Sequence, residues 1–201
     1  VVEGELAPEL LAAVEEAHRA DRCGRIETAS GPVFLQIFNP PLRLAIVGAV
    51  HIAQALAPMA ALTGYAVTII DPRGAFATRA RFPDVQLMDD WPDEAMQAFA
   101  PDRRSAVVTL THDPKLDDPA LDVALRSEAF YIAALGSRRT HAGRLERLAA
   151  LGHDAATTAR IHGPAGLDIG AGSPARIAIP VLARMTRTLR QPAPAAARAA
   201  A

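Results

Sequence analysis

The chain of 201 residues is 50% hydrophobic and 21% charged, with a formal net charge of -1. That is long enough for one domain with a full core plus an appendage, and too close to neutral for a general nucleic-acid surface. A single cysteine, Cys23, excludes an internal disulfide and a cysteine-based zinc site, and no apolar run reaches the ~18 residues a membrane helix needs.

A lone thiol suits a reducing cytoplasm, so we expect a cytoplasmic protein with neither membrane nor nucleic acid as partner. Val1 stands where an initiator methionine would, which leaves a removed leader or upstream domain open. Leu6, Leu10, Leu11, Val14 and Ala17 recur at helical spacing and predict a short amphipathic helix over 5–19. Residues 31–38 read as a strand, stopped by Asn39-Pro40-Pro41. Residues 1–41 thus form a small N-terminal helix and strand appendage.

The main domain is expected over 42–190. Its strands fall at 43–48, 65–71, 84–88, 105–110 and 129–135, and its helices at 51–63, 92–100, 118–126 and 139–151. Strands that alternate with helices, with continuous apolar runs such as Ala106–Leu110, predict an α/β fold. The sheet is a doubly wound, Rossmann-like parallel sheet with helices on both faces. A last helix over 174–190 has Ser173 as its cap and Pro174 in its first turn, and Pro180 is expected to kink it. Residues 191–201 read as a disordered tail.

Leu44–Gln54 carries the first functional signal: a buried strand, a tight turn at Gly48 and a helix start. Asp71 closes the next apolar run about twenty residues on, which is the outline of a dinucleotide-binding unit. Counting G-x-G-x-x-G from Gly48 places Val50 and Ala53 at the second and third glycines. Alanine is an ordinary substitute at the third. At the second, a β-branched side chain obstructs the approach of a pyrophosphate, which argues against ordinary NAD binding by Gly48, Ala49, Val50, His51 and Ile52. His51 reads equally as a polar residue at a helix start and as a ligand contact.

Ligands of open parallel sheets bind at the carboxyl ends of the strands, and three further loops leave those ends. In Asp71-Pro72-Arg73, the aspartate can accept from a ribose diol and the arginine can hold a phosphate, or the two form a surface ion pair. In Leu110–Pro119, Asp117 and Asp118 are accounted for by a helix dipole, whereas Thr111, His112, Asp113 and Lys115 are not. Two ligands of metal type without a third do not make a metal site, so no metal is expected. In Leu135–Thr140, Gly136, Ser137, Arg138 and Arg139 open a helix and make a plausible anion site, against the alternative of arginines on a solvated face. Farther on, the glycine-dense loop 162–174, with Gly166, Asp168 and Gly170, lets backbone approach a ligand or another strand closely.

Taken in order, Gly48–Gln54, Asp71-Pro72-Arg73, Arg81-Phe82-Pro83, Leu110–Leu121, Phe130-Tyr131-Ile132, Leu135–Arg139 and Ile161–Ala171 resemble the XdhC/CoxI family over about 44–190. The family name rests on xanthine dehydrogenase accessory proteins. The resemblance implies a Rossmann-like C-terminal domain that binds the molybdenum cofactor (molybdopterin), protects it during sulfuration and delivers it to the apo-enzyme of a molybdenum hydroxylase. The partners implied are that hydroxylase and a cysteine desulfurase, with homo-oligomerisation left open. Many members carry glycine where Val50 and Ala134 stand, and an acid where Arg176 stands. The family's N-terminal domain reads as absent or much reduced.

The expected function is therefore a cofactor chaperone and insertion factor rather than an enzyme with its own turnover. No nucleophile with an adjacent base stands out among the motifs. Two alternatives stay open: an NAD(P)-dependent oxidoreductase using Asp71 for ribose with a hydride acceptor near His112, and a docking module that binds no ligand.

Overall fold

The computed structural model describes residues 8–29 and 31–191. The tail expected over 191–201 therefore lies, beyond Gln191, outside the described residues. The chain divides into two compact units, 1–40 and 41–201. In the first, α1 (Pro8–Ala20) precedes an antiparallel hairpin of β1 (Gly24–Thr28) and β2 (Gly31–Leu35). The strand β1 has no counterpart among the expected elements, because five residues with two charges and a glycine give little period-2 signal.

The second unit runs β3 (Leu42–Val47), α2 (His51–Leu62), β4 (Tyr65–Ile70), β5 (Gln86–Met88), α3 (Pro92–Phe99), β6 (Ser105–Thr109), α4 (Pro114–Leu125), β7 (Tyr131–Ala134), α5 (Arg138–Ala150), α6 (Ala155–Thr158), β8 (Ile161–His162) and α7 (Pro174–Arg190). Six strands pair in the order β5-β4-β3-β6-β7-β8, all parallel. The order reverses between β3 and β6, and at such a switch point the loops part and leave a crevice.

The two faces of β3 show how the sheet is covered. Leu44 and Ile46 pack into the cluster under α2 and α7, and Ala45 and Val47 into the cluster under α3, α4 and α5. All four are at most 1% exposed. Burial of each large member contributes about 1.5–3 kcal/mol relative to exposure. A strand buried on both sides cannot alternate with polar residues, which is why the apolar run was continuous. The register then aligns the strand ends. Met88, Ile70, Val47, Thr109 and Ala134 pair in one row across five strands. The site loops all start from that row.

Helix α4 begins one turn earlier than expected. The loop holds two Asp-Pro signals, and the first, Asp113-Pro114, is the one used: Asp113 accepts from the Lys115 N–H at 2.9 Å. Pro119 then sits inside the helix. Asp117, at the end of the first turn, and Asp118 consequently turn inward, 1% and 8% exposed. They belong to a series of polar pairs linking α4 to α5 and the loop after it: the ion pairs Asp117–Arg144 and Asp118–Arg147, and the hydrogen-bonded Asp122–His153. Helix α7 starts as expected at Ser173, which accepts from the Arg176 N–H at 3.4 Å, and continues as one element through Pro180.

Strand β8 was not expected, since two residues carry no periodic signal. Its His162 ring stacks on Tyr131, with centroids 4.9 Å apart and 23° between planes. Burial and the charges of Arg184 and Arg187 push the His162 pKa down to about 4. In the unfolded chain it titrates near 6.5, so between pH 6.5 and 4 the unfolded state binds the extra proton. The stability tied to neutral His162 is complete above pH 6.5 and is lost as pH falls toward 4. His162→Phe keeps a stacking ring without a titrating group. We expect it to flatten the fall of melting temperature over that window, measured by thermal scans from pH 7 to 4.

No helix among the described residues is long and apolar enough to cross a membrane.

Candidate functional site

The loops after β3, β6 and β7 meet at the carboxyl edge of the sheet, where an open parallel sheet of this order binds its ligands. Gly48 leaves β3 with φ +107° and donates its N–H to Ile70 O at 2.8 Å. A Cβ built on it would lie 2.5 Å from Thr111 Cγ2. The first loop therefore lies directly against the third. Gly136, after β7, has φ +138°, and a Cβ there would meet Thr140 at 3.1 Å and His112 Nδ1 at 3.7 Å. The Thr111–His112 segment is thus held between two glycine turns. Gly48→Ala would strain the backbone and push Thr111 away. We expect a cost of about 1–3 kcal/mol in chemical unfolding.

Around Gly48 the expected residues take different roles. The Ala49 N–H donates to Asp71 Oδ2 at 2.8 Å. Val50 occupies the cap position of α2 in extended conformation, and no side chain caps that helix. Its own side chain is partly buried against the core. His51 is exposed, and Ile52, 8% exposed, points into the core. Ile52 can therefore offer a ligand only its N–H.

Asp71 is fully buried, and both its oxygens are engaged within the fold. Oδ1 accepts from the Arg73 N–H at 3.0 Å and Nε at 2.8 Å, and Oδ2 accepts from Arg73 Nη2 at 2.8 Å besides Ala49. Burial works against its charge, but these hydrogen bonds outweigh it and hold the carboxyl below its usual range. The pair closes the Gly48 turn, and a ribose diol would have to displace one of these donors. Arg73 also lies over the ring of Phe76, at 4.8 Å.

The third loop turns at His112, which is exposed with φ +63°. Asp113 is spent on capping α4, and Lys115 is exposed beside it. In the fourth loop Ser137 caps α5, accepting from the Thr140 N–H at 3.1 Å. Arg138 and Arg139 are exposed, and among the described residues neither pairs with a carboxylate. Gly166 serves packing: with φ +87°, its Cβ would stand 2.9 Å from the Pro180 carbonyl carbon of α7. The Leu167 N–H beside it donates to Pro180 O at 3.1 Å. Asp168 and Gly170 are exposed in the loop before α7. Two shallow depressions lie elsewhere, one beside Asp118 and Asp122, the other between α2 and α7. Among the described residues no group of three or more His, Cys, Asp or Glu is placed to hold a metal.

Two buried residues of the site were missed by sequence reasoning. The carboxylate of Asp117 accepts from Thr111 Oγ1 at 2.7 Å, the Thr111 N–H at 3.3 Å and the His112 N–H at 3.2 Å. Behind it stands Arg144, 1% exposed. The available signal was Asp117 and Asp118 on one helix against Arg144 and Arg147 on the next, two pairs of matching order and opposite sign.

The model of the XdhC Rossmann domain matches residues 44–185. A Bacillus subtilis (strain 168) protein named as a probable subunit of xanthine dehydrogenase is 32% identical over 160 residues, 79% of this chain and 46% of that protein. The Escherichia coli (strain K12) "Molybdenum cofactor insertion chaperone PaoD" is 34% identical over 148 residues, 74% of this chain and 40% of that protein. The chain thus spans less than half the length of these relatives. A crystal structure from Bacillus halodurans, described as a xanthine dehydrogenase, superposes with a TM-score of 0.67 at 22% identity. It covers 93% of this chain and 66% of that one, and supports the fold. With the parallel sheet, the glycine turns at its switch point and a family match over most of its length, the chain belongs to the XdhC family through its Rossmann domain.

Proposed function

We propose that this domain holds the molybdenum cofactor in the crevice and serves its sulfuration and insertion into a molybdenum hydroxylase such as xanthine dehydrogenase, with a cysteine desulfurase as the source of sulfur. The observation that carries this reading is the meeting of Gly48, Thr111–His112 and Gly136 at the switch point, beside two helix starts. The donor set fits a phosphate-bearing pterin. The start of α2 is uncapped by any side chain and can offer N–H groups to a phosphate. Lys115, Arg138 and Arg139 are exposed cations in the first turns of α4 and α5. His112 can donate to, or accept from, a polar heterocycle edge. When bound, the cofactor supplies the chemistry of the hydroxylase. The residues of this chain bind it, orient it and limit access of water.

Equilibrium binding of isolated cofactor tests the proposal, followed by extraction and mass identification of whatever copurifies. Saturable binding at micromolar affinity or better is expected. Absence of saturable binding up to high concentration would sink it. Turnover of added NAD(P)H would favour the oxidoreductase, and no affinity for either ligand would favour a docking module.

A further inference from the structure

We propose that Asp117 and Arg144 are positioning residues of the crevice. They form a buried clasp that fixes the backbone of Thr111 and His112, so that the His112 ring is presented beside the Gly136 turn. The inference rests on the reading of the crevice as the cofactor site.

Each part of the clasp is in place. Asp117 Oδ1 takes the Thr111 hydroxyl and N–H, and Oδ2 takes the His112 N–H. The Thr111 hydroxyl oxygen in turn accepts from the Asp113 N–H at 3.0 Å. One carboxylate therefore ties down consecutive residues of a loop that departs from ordinary backbone at His112. Arg144 Nη2 lies 3.6 Å from Asp117 Oδ2 and donates to Leu135 O at 2.9 Å, one residue before Gly136. The pair thereby links the loop after β6, which carries His112, to the turn after β7, beside which His112 Nδ1 lies.

Stability does not account for this arrangement. Both side chains are 2% exposed, and Arg144 Nε and Nη1 are buried without a hydrogen-bond partner. A buried pair left incompletely satisfied is no more stabilising than well-packed apolar residues of similar volume. What it supplies is geometry. Asp117 and Arg144 are too buried to touch a ligand, so they act on one only through Thr111 and His112. The phosphate-bearing ligand meets His112, and the clasp sets where His112 is.

The test uses Thr111→Val, which removes the hydroxyl link and leaves the buried pair intact, with Thr111→Ser as the rescue. Asp117→Asn is a second, harsher variant. Amide hydrogen exchange at His112 is measured alongside affinity for isolated molybdenum cofactor. In a folded Thr111→Val protein we expect His112 exchange to accelerate about tenfold and affinity to fall about tenfold, within the range for the two hydrogen bonds that the hydroxyl makes. Thr111→Ser should restore both to within about threefold. A Thr111→Val protein with parental exchange and affinity overturns the proposal. Faster exchange with unchanged affinity in a cofactor-binding parent also overturns it, because the loop would then move without consequence for the ligand. If the parent does not bind cofactor at all, the functional reading falls. The clasp is then decided by exchange alone, where acceleration at His112 in both Thr111→Val and Asp117→Asn supports it and parental rates overturn it.

Discussion

Arg144→Ala is expected to lower unfolding stability by about 3–5 kcal/mol at neutral pH, the range for removing one partner of a buried ion pair. The residue is 1% exposed, and among the described residues its side chain is the largest that is fully buried. Its loss opens a cavity, frees the Leu135 carbonyl from its donor and leaves the Asp117 carboxylate without a counter-ion. The Asp117 response makes the effect depend on pH. Burial already holds its carboxyl above the usual aspartate range, against the opposing pull of Thr111 and Arg144. Without Arg144 that pKa rises further. A group whose folded pKa is raised binds protons preferentially in the folded state, so its contribution favours folding at low pH and is lost as pH rises through the folded pKa. The deficit of Arg144→Ala relative to the parent should therefore be smaller at pH 5 than at pH 8. His162 weakens both proteins alike on acidification and cancels in the difference. Urea unfolding of the two proteins at both pH values measures it. A deficit below about 1 kcal/mol, or one that grows on acidification, would show that the pair does not have this role.

That same pair marks the limit of what the residues alone disclosed. The sheet was legible because β3, β4 and β6 are buried on both faces, and no other arrangement of continuous apolar runs between helices hides them. The Gly48 turn was legible because a glycine between a buried strand and a helix has few other uses. Asp71 was found at the right place but with its carboxylate directed inward, since nothing local says that the Ala49 N–H and Arg73 fill both its oxygens. The start of α4 was set one turn late because Asp118-Pro119 imitates the cap that Asp113-Pro114 provides. That single turn concealed the clasp. Read as first-turn residues, Asp117 and Asp118 needed only a helix dipole. Read one turn further into the helix and on its inner face, they required cations, and these stand 27 and 29 residues away on another helix. Gly166 was read as approaching a ligand or another strand, whereas the backbone that it meets is that of the helix α7.

Replacing Arg138 and Arg139 together with alanine is expected to weaken cofactor binding by ~2–4 kcal/mol, the range for losing charge-assisted hydrogen bonds at two sites. The fold should not follow. Both residues are exposed and, among the described residues, without a carboxylate partner. The cap of α5 is Ser137, which bonds Thr140 independently of them. They also occupy the first two positions of that helix, where the positive end of the dipole disfavours cations by a few tenths of a kcal/mol. Stability alone thus gives no reason for two arginines here, and their removal should leave the melting temperature equal to the parent's or slightly above it. An anion at the mouth of the crevice does give a reason, because it pairs with both guanidinium groups and the helix start together. The loss of affinity should accordingly shrink for a pterin ligand without phosphate, and should diminish for the parent as salt rises. Calorimetric titration of parent and double variant with both ligands separates these terms. A double variant that melts well below the parent, yet binds normally once folded, would return the arginines to the scaffold and move the anion site to Thr111–Lys115.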